Sequence, residues 1–452
     1  MPIAGASIQL YAMGMSGYGS AATLYATTTT SNDGYGSFAF SKSTSLTGPT
    51  APTTPNYGCP ASGDPQMYLT ASGGNTQGIG SSNNTAVRYA VAIGPCSGIT
   101  AATYVNMNEV TNVATMAALA QFFNPVTESF GAPASTQAYA ALVNAVATVN
   151  ILANVAAGTA NPVVTPGSNV AGVSIQATPE YQKVNTLANI LASCVNTTAA
   201  TSQTCSALFA AAVPPAPAVT NQPLATFTAA TDTLQAAYYL LTNPASSGSA
   251  NIAALFGLTV ATPPFQPQLS AAPTDWTIGI SYDAGGSTCG PTSGGFISSP
   301  VTVAVDGNGM VWIGNGQSSI GNLTAMTPTG GAMVCALGTI DSSTAGAVLD
   351  ANNNVYVASH AAGSAAITRT DNTGKNATTI TTAGPVASIA ADAVGDVYFV
   401  TDATSTVYKI PAGSTSPASL GASSGGCRPS LWTTDRTCIT REARQPSWAT
   451  TT

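Results

Sequence analysis

Charged side chains are scarce in this sequence. Only 6% of its 452 residues are Asp, Glu, Lys or Arg, whereas an average globular protein has about 25%. The formal net charge is −7, from 10 basic and 17 acidic residues. With so few Lys and Arg, the chain lacks the basic patches that neutralise phosphates, so no nucleic-acid partner is predicted. The hydrophobic fraction of 44% is enough to form buried cores, and we expect a folded chain.

Histidine is scarcer still, because His360 is the only one. It stands in Ala-Ser-His-Ala-Ala without an acidic neighbour in the sequence, which is too little for general acid–base or triad chemistry. One histidine also cannot complete a Cys/His zinc site, and no two cysteines form a CxxC pair. We therefore predict no catalytic residue, no metal ligand and no cofactor, and we predict that the chain is not an enzyme.

Long hydrophobic runs are missing too. No stretch of about 18 apolar residues occurs, so no membrane span is predicted. The first residues, Met-Pro-Ile-Ala-Gly-Ala-Ser-Ile, show neither the basic nor the apolar region of a secretory signal. We favour a start that is truncated or internal, with the signal lost upstream.

Cysteine is present in an even number, eight, and several lie in loops rich in Gly, Pro and Ser. Such loop cysteines favour disulfides, an oxidising compartment and an extracellular or cell-envelope location. The preferred pairs are Cys59–Cys96 and Cys194–Cys205, while the pairing of the remaining four stays open: Cys289, Cys335, Cys427 and Cys438. Free buried thiols are the alternative interpretation.

The first 270 residues change from a strand pattern to a helix pattern. Residues 1–100 contain alternating or β-branched stretches, which predict strands at 6–12, 22–30, 36–40, 66–71 and 86–93. Residues 101–270 carry apolar residues at helical spacing, with helix starts predicted at Asn108, Ser135, Pro179 and Asp232 and a short helix over 251–258. We expect a small helical domain here.

The C-terminal third contains a repeat of strand, Asp-led turn and strand. The repeat aspartates are Asp306, Asp350 and Asp392, spaced 44 and 42 residues apart, and an aromatic residue follows each of them: Trp312, Tyr356 and Tyr398. Each copy is followed by a second candidate hairpin, and four strands per 40–45 residues is typical of a propeller blade. We expect the aspartates to accept hydrogen bonds in their own turns and the aromatics to pack between blades.

These hairpins resemble those of bacterial NHL-type propellers, including the virginiamycin B lyase-like group, over about residues 276–420. The stretches 4–11 and 32–38 resemble a carboxypeptidase regulatory-like domain. That second resemblance implies a transthyretin-like β-sandwich of which the opening strand is missing here. Lyases of the virginiamycin type use His with a metal at the propeller centre, and His360 alone does not reproduce that set.

The predicted fold is therefore multidomain, with β and α parts. It has a β-sandwich at 1–100, a helical domain at 101–270, an incomplete β-propeller of about three blades at 271–425 and an atypical tail at 426–452. The tail gains Arg and Trp and does not resemble a fourth blade; a frameshift or a gene-fragment end would explain it.

Three functions remain open from the sequence. The first is a secreted or cell-surface scaffold protein that binds an unknown protein or glycan through its propeller. The second is a fragment of a virginiamycin B lyase-like enzyme. The third is a structural repeat protein that self-assembles, because open propeller edges invite pairing with another chain.

Overall fold

The chain folds into two compact units, each formed by two stretches of sequence. The first unit comprises Met1–Val164 and Ala177–Tyr282, and the second comprises Thr165–Gln176 and Asp283–Thr452. The computed structural model describes residues 2–49, 53–77, 82–216, 227–245, 248–260, 262–288, 295–316, 322–335, 344–360, 366–402 and 406–422. The predicted tail at 426–452 lies outside these ranges.

A four-stranded antiparallel sheet lies at the centre of the first unit, with its strands in the order Thr23–Thr29, Ser7–Ala12, Gln66–Ser72 and Arg88–Pro95; four short pairs of strands accompany it among the described residues. The strands of this unit are β1 (Ser7–Ala12), β2 (Thr23–Thr29), β3 (Ser41–Lys42), β4 (Asn56–Tyr57), β5 (Gln66–Ser72), β6 (Arg88–Pro95), β7 (Phe123–Asn124), β8 (Ser129–Phe130), β9 (Ala153–Asn154), β10 (Thr159–Ala160), β11 (Gln176–Pro179) and β12 (Ile280–Asp283).

Six helices lie in the described part of this unit, and four of them begin at a polar N-cap side chain. They are α1 (Glu109–Leu119), α2 (Thr136–Leu152), α3 (Tyr181–Val195), α4 (Gln203–Ala211), α5 (Thr233–Thr242) and α6 (Ser249–Phe256). The caps are Asn108, Ser135, Ser202 and Asp232, and each accepts a hydrogen bond from a backbone N–H of the first turn. Pro179 ends strand β11, so the third helix begins two residues later than predicted.

Both faces of the central sheet are buried. On one face, Tyr68, Ala90 and Ala92 share a core with helix residues such as Val113 and Leu142. The side chains of the opposite face lie in a second core, with aromatic residues from the loop after β2: Ile8, Leu10, Leu69 and Tyr89, with Phe38 and Phe40. Alternating residues on one strand therefore enter two different cores.

This arrangement differs from the predicted division of the first 270 residues. Within the described residues, 1–100 form one four-stranded sheet and a two-residue parallel pair, not two facing sheets of a sandwich. Helices α1, α2 and α5 pack directly on strand β6 and belong to the same compact unit as the sheet. The physical reason is that the second face of the sheet is apolar as well, so it buries its side chains against helices.

Three four-stranded antiparallel sheets lie in the described part of the second unit, and in each the strands follow one another in sequence order. Sheet 1 contains β13 (Pro300–Val305), β14 (Val311–Asn315), β15 (Asn322–Met326) and β16 (Ala332–Val334). Sheet 2 contains β17 (Thr344–Leu349), β18 (Val355–Ser359), β19 (Ala366–Thr370) and β20 (Thr378–Thr381). Sheet 3 contains β21 (Val386–Ala391), β22 (Val397–Thr401), β23 (Thr406–Ile410) and β24 (Ala418–Ala422).

The three sheets pack face to face through apolar side chains. Trp312 and Leu323 of sheet 1 share a buried cluster with Val355 and Val357 of sheet 2. Sheets 2 and 3 share another cluster, in which Tyr356 and Ile367 meet Ile389 and Phe399. The first strands of neighbouring sheets lie beside one another, β13 by β17 and β17 by β21. These sheets are compatible with propeller blades, although no closed ring of sheets is formed by the described residues.

None of the described helices combines the length and the apolar character required to cross a bilayer.

Candidate functional site

The repeat aspartates build the first turn of each sheet of the second unit. In sheet 2, the Asp350 Oδ1 atom accepts hydrogen bonds from the backbone amides of Asn352 and Asn354, at 2.8 and 2.9 Å. Its Oδ2 atom accepts from the side-chain amide of Asn354 at 2.7 Å and from the Tyr356 hydroxyl at 3.3 Å. The carboxylate is buried and its oxygens are occupied by donors of its own hairpin.

Sheets 1 and 3 repeat this geometry. The Oδ1 atoms of Asp306 and Asp392 each accept two backbone amides of the turn, from the residues two and four positions later, at 2.9 to 3.0 Å. The Trp312 indole Nε1 donates to Asp306 Oδ2 at 3.2 Å, and the Tyr398 hydroxyl donates to Asp392 Oδ2 at 3.2 Å. The three aspartates therefore lie at matching corners, each bonded to an aromatic residue six positions later.

A fourth turn of the same kind was not predicted. Asp371, in the β19–β20 hairpin, accepts the backbone amides of Thr373 and Lys375 at 2.9 and 3.0 Å. Hydrogen bonds, above all from the Thr373 hydroxyl, lower the pKa of Asp371 to about 2. Here the partner of Oδ2 is the exposed Asn376 amide rather than a buried aromatic residue.

The repeat aromatics occupy two environments. Trp312 and Tyr356 are fully buried in the clusters between sheets 1 and 2 and between sheets 2 and 3. Tyr398 is half-buried, with the Lys409 ammonium 5.7 Å from its ring centre. The Arg369 guanidinium takes the equivalent place 5.8 Å from the Tyr356 ring. Within the described part of the unit, the first two repeat aromatics are therefore buried between two sheets, and the third is not.

His360 lies beside an acidic group that sequence reasoning missed. Its Nδ1 atom is 3.3 Å from Asp402 Oδ2 and 3.0 Å from the Val386 carbonyl oxygen. His360 directly follows the second strand of sheet 2, and Asp402 follows the second strand of sheet 3, so the repeat itself brings them together. Both side chains are 48% exposed. The expectation that no acidic residue lies near this histidine is wrong, because the two positions are 42 residues apart in the sequence but adjacent in space.

The first unit contains a cavity of about 540 Å³ on the loop-covered face of its sheet. Apolar and aromatic side chains line most of it, among them Ile8, Phe38, Val87 and Phe265. Glu109 and Tyr89 also line it, and their side chains interact with each other. Burial raises the pKa of Glu109. Near this cavity, the sequence analysis singled out only the neighbouring Asn108, and it did so as the start of a helix rather than as part of a site.

A pair of carboxyl groups lies elsewhere in the same unit. Glu128, in the β7–β8 hairpin, forms an ion pair with Arg88 and interacts with the buried carboxyl group of Asp232. Burial and the nearby Asp232 charge raise the pKa of Glu128 to about 8, against the opposing effect of Arg88. Glu128 also has a positive φ of 51°, a backbone conformation that is uncommon outside glycine and is frequent at functional or tightly constrained positions.

Two disulfides are seen in full. Cys59–Cys96 links the loop after β4 to the end of β6, and Cys194–Cys205 links the end of α3 to the start of α4. Cys335 is disulfide-bonded as well, while Cys289, Cys427 and Cys438 lie outside the described residues. Disulfides are compatible with an extracellular location.

The described residues contain no group of three or more His, Cys, Asp or Glu side chains that could hold a metal ion. The repeat aspartates come closest to such a role in the sequence, but their carboxylate oxygens accept hydrogen bonds within their turns.

Comparisons with known proteins give only weak structural matches, over about a quarter of the chain. No protein-family model matches the chain, and no curated protein matches it, so nothing supports the NHL-type or carboxypeptidase regulatory-like assignment. A crystal structure of selenomethionine-substituted virginiamycin B lyase from Staphylococcus aureus is 19% identical over 26% of this chain and 40% of the lyase, with a TM-score of 0.23. A catalytically inactive variant of that lyase with quinupristin is 17% identical over 28% of this chain and 43% of the lyase, with a TM-score of 0.25. The chain thus matches about two-fifths of each lyase chain.

Proposed function

We propose that this chain is a non-enzymatic interaction protein, secreted or displayed on the cell surface, whose three repeat sheets are propeller blades that bind a protein or glycan. The observation that carries this proposal is the recurrence of one hydrogen-bonded corner. Asp306, Asp350 and Asp392 each accept two turn amides and an aromatic donor in successive sheets. Because the same corner occurs in three successive sheets, we infer that one supersecondary unit is repeated around an axis.

The chemistry of the surface suggests the kind of partner. With 6% charged residues, the chain has few groups that could attract an ionic ligand over a distance. Half-exposed polar side chains such as His360 and Asp402 stand where the second strands end, and strand-end loops are the usual recognition surface of a scaffold of sheets. A neutral glycan or a weakly charged protein surface fits this composition. The disulfides support the extracellular location.

The experiment is a binding assay of the disulfide-intact full chain against an array of neutral and acidic glycans. We expect binding to neutral glycans that changes less than about threefold between low and high salt, because few charges take part. His360→Ala and Asp402→Asn should weaken binding at least about tenfold. Asp371→Asn, at the opposite end of sheet 2, is the matched control and should bind like the parent chain. Binding limited to acidic glycans and abolished by salt would refute the proposal.

One observation favours an enzyme as a second candidate. The carboxylate of Asp402 lies 3.3 Å from His360 Nδ1, and a histidine oriented by a carboxylate is a common general base. If the chain is a fragment of a lyase-like enzyme, incubation with virginiamycin B and divalent metal ions should consume the antibiotic, followed by mass spectrometry. His360→Ala should then abolish the consumption. No consumption by the parent chain would eliminate this candidate.

The exposed face of sheet 1 favours self-association as a third candidate. In sheet 2, Ala347 and Leu349 pack against the cluster that holds Trp312. The residues at the equivalent positions of sheet 1, Val303 and Val305, are 62% and 59% exposed. Tyr398 occupies in sheet 3 the position that Trp312 occupies in sheet 1, and it is only half-buried. Sheet 3 of a second copy can therefore cover Val303 and Val305. Such head-to-tail contact would repeat the packing already present between sheets.

Light scattering after size-exclusion chromatography tests this contact. We expect a concentration-dependent dimer that Val303→Lys weakens at least about tenfold, because the lysine places an unpaired charge in the apolar contact. Val394→Lys is the matched control: Val394 is also exposed, at 58%, but lies in the Asp392 turn. A chain that stays monomeric at all concentrations would exclude this candidate.

A further inference from the structure

The cavity of the first unit has the dimensions of a small-molecule site. Its volume of about 540 Å³ falls within the range of about 300 to 1,000 Å³ that is usual for ligand pockets. It lies between the central sheet, the segment that leads into helix α1 and the loop after β2, and all of its lining residues belong to the first unit. The three candidate functions above concern the second unit, so this inference is independent of them.

Four aromatic residues are among those that line the cavity. Tyr89 comes from strand β6, Tyr35 and Phe38 from the loop after β2, and Phe265 from the segment after α6. Tyr89 is buried, whereas Tyr35 is 81% exposed and lies at the rim. Aromatic faces carry negative electrostatic potential and attract cations, an effect that grows when water is excluded.

Two of the other polar side chains at the cavity are already engaged in structural hydrogen bonds. Asn108 accepts from the Thr111 amide and donates to the Gly158 carbonyl oxygen. The Thr30 hydroxyl donates to the Ile3 carbonyl oxygen and accepts from the Ala6 amide. Glu109 carries the one carboxyl group among the described residues that line the cavity, and a carboxylate can accept several hydrogen bonds.

An opposite charge acts on Glu109 from the N-terminus of the chain and lowers its pKa, against the larger effect of burial. Glu109 is only 8% exposed, and no Lys, Arg or His stands among the described residues that line the cavity. Burial is the main reason why its pKa is raised. A ligand that brings its own positive charge would compensate the carboxylate, whereas an anionic ligand would be repelled by it.

We propose that this cavity binds a small organic cation, with an apolar or aromatic body between the aromatic walls and one protonated amine on the Glu109 carboxylate. The Tyr89 hydroxyl interacts with the same carboxyl group and helps to orient it for the amine. Primary amines with an aromatic body are the class with the best fit, because they use the aromatic walls and the single carboxylate together.

A matched pair of probes separates the charge from the apolar body. Tryptamine carries a protonated amine, and tryptophol has the same indole ring with a neutral hydroxyl group in its place. Isothermal titration calorimetry on the full chain should give saturable binding of tryptamine, at least about tenfold tighter than that of tryptophol. Equal affinities for the two, or no binding of tryptamine, would overturn the proposal.

Two variants locate the effect at Glu109. Glu109→Gln keeps the shape and an acceptor for Tyr89 but removes the charge, so the preference for tryptamine should disappear. Tyr89→Phe keeps the ring and should weaken tryptamine binding several-fold while the preference remains, which provides a test if the first variant does not fold. Glu180→Gln is the control, because Glu180 belongs to the same unit but pairs with Lys183 and does not line the cavity. An undiminished preference in Glu109→Gln would refute the assignment.

Proton release on binding tests whether the amine interacts with the Glu109 carboxylate directly. A purely structural role of Glu109 would not produce it. The titratable side chains on the described wall are Tyr35, Tyr89 and Glu109, and the charge of the N-terminus also acts on Glu109. An amine that binds the charged form of Glu109 lowers the pKa of that carboxyl group, so protons are released in the range where it is partly protonated. Titrations in two buffers of different ionisation enthalpy should detect this release, and Glu109→Gln should abolish it.

Discussion

Asp350→Ala is expected to lower the free energy of unfolding of the second unit by about 3 to 5 kcal/mol. The substitution removes a buried carboxylate that accepts two backbone amides, one side-chain amide and the Tyr356 hydroxyl. The buried Tyr356 hydroxyl would lose this acceptor between sheets 2 and 3, and the turn would lose the bonds that close it. Hydrogen exchange measured by mass spectrometry, read on peptides from strands β17 to β24, checks this result.

Asp371→Ala is the matched control for that prediction. Asp371 accepts the same pattern of turn amides, in the same sheet, but its side chain faces solvent and its Oδ2 partner is the exposed Asn376. Water can replace its hydrogen bonds, so the loss of stability should be less than about a third of that in Asp350→Ala. Equal losses in the two variants would show that the turn alone, and not the buried contact with the aromatic ring, makes the corner important.

The stability of the first unit should fall as the pH rises from about 5 to about 8, and Glu128→Gln should remove most of that fall. The pKa of Glu128 is raised from 4.5 to about 8 in the folded state, first by burial and then by the Asp232 charge. Between these values the folded chain holds a proton that the unfolded chain has lost. The folded state therefore binds more protons, and its stability declines with pH across this window.

We expect a decline of about 1 to 2 kcal/mol, because partial exposure and the ion pair with Arg88 reduce the effect of burial. Chemical denaturation at several pH values, followed by a probe in the first unit such as the buried Trp276, measures it. Glu180→Gln is the control and should keep the slope of the parent chain. Stability that rises with pH through this window would contradict the assigned proton.

The long strands of the first unit were predictable because alternation is a local signal. Strands were expected at 6–12, 22–30, 66–71 and 86–93, and the structure has β1, β2, β5 and β6 there. The expected strand at 36–40 is absent, because Phe38 and Phe40 lie in a loop. Their side chains are apolar because they pack on the second core, not because they belong to a strand. Helix α4 was missed, although Ser202 provides its cap.

The partner of each sheet face could not be predicted from local pattern. Strand β1 sends Ile8 and Leu10 into one core and Tyr11 toward the other, and both destinations look alike in the sequence. Whether a second sheet or a helix covers an apolar face depends on which distant segments fit against it. In place of the predicted sandwich, the structure has one sheet that is covered by helices on one face and by aromatic loop residues on the other.

By itself, the sequence determined the repeat of the second unit and its hairpin corners, because a turn needs only residues within a few positions of its aspartate. It also determined the low charge and the cysteines that make an extracellular location the favoured expectation. Only the tertiary structure decided which side chains meet across long separations: His360 with Asp402, Glu128 with Asp232, and Glu109 with Tyr89 at the cavity wall. The physical reason is that burial and contact between distant groups depend on how sheets and helices pack, and a local pattern does not encode that packing.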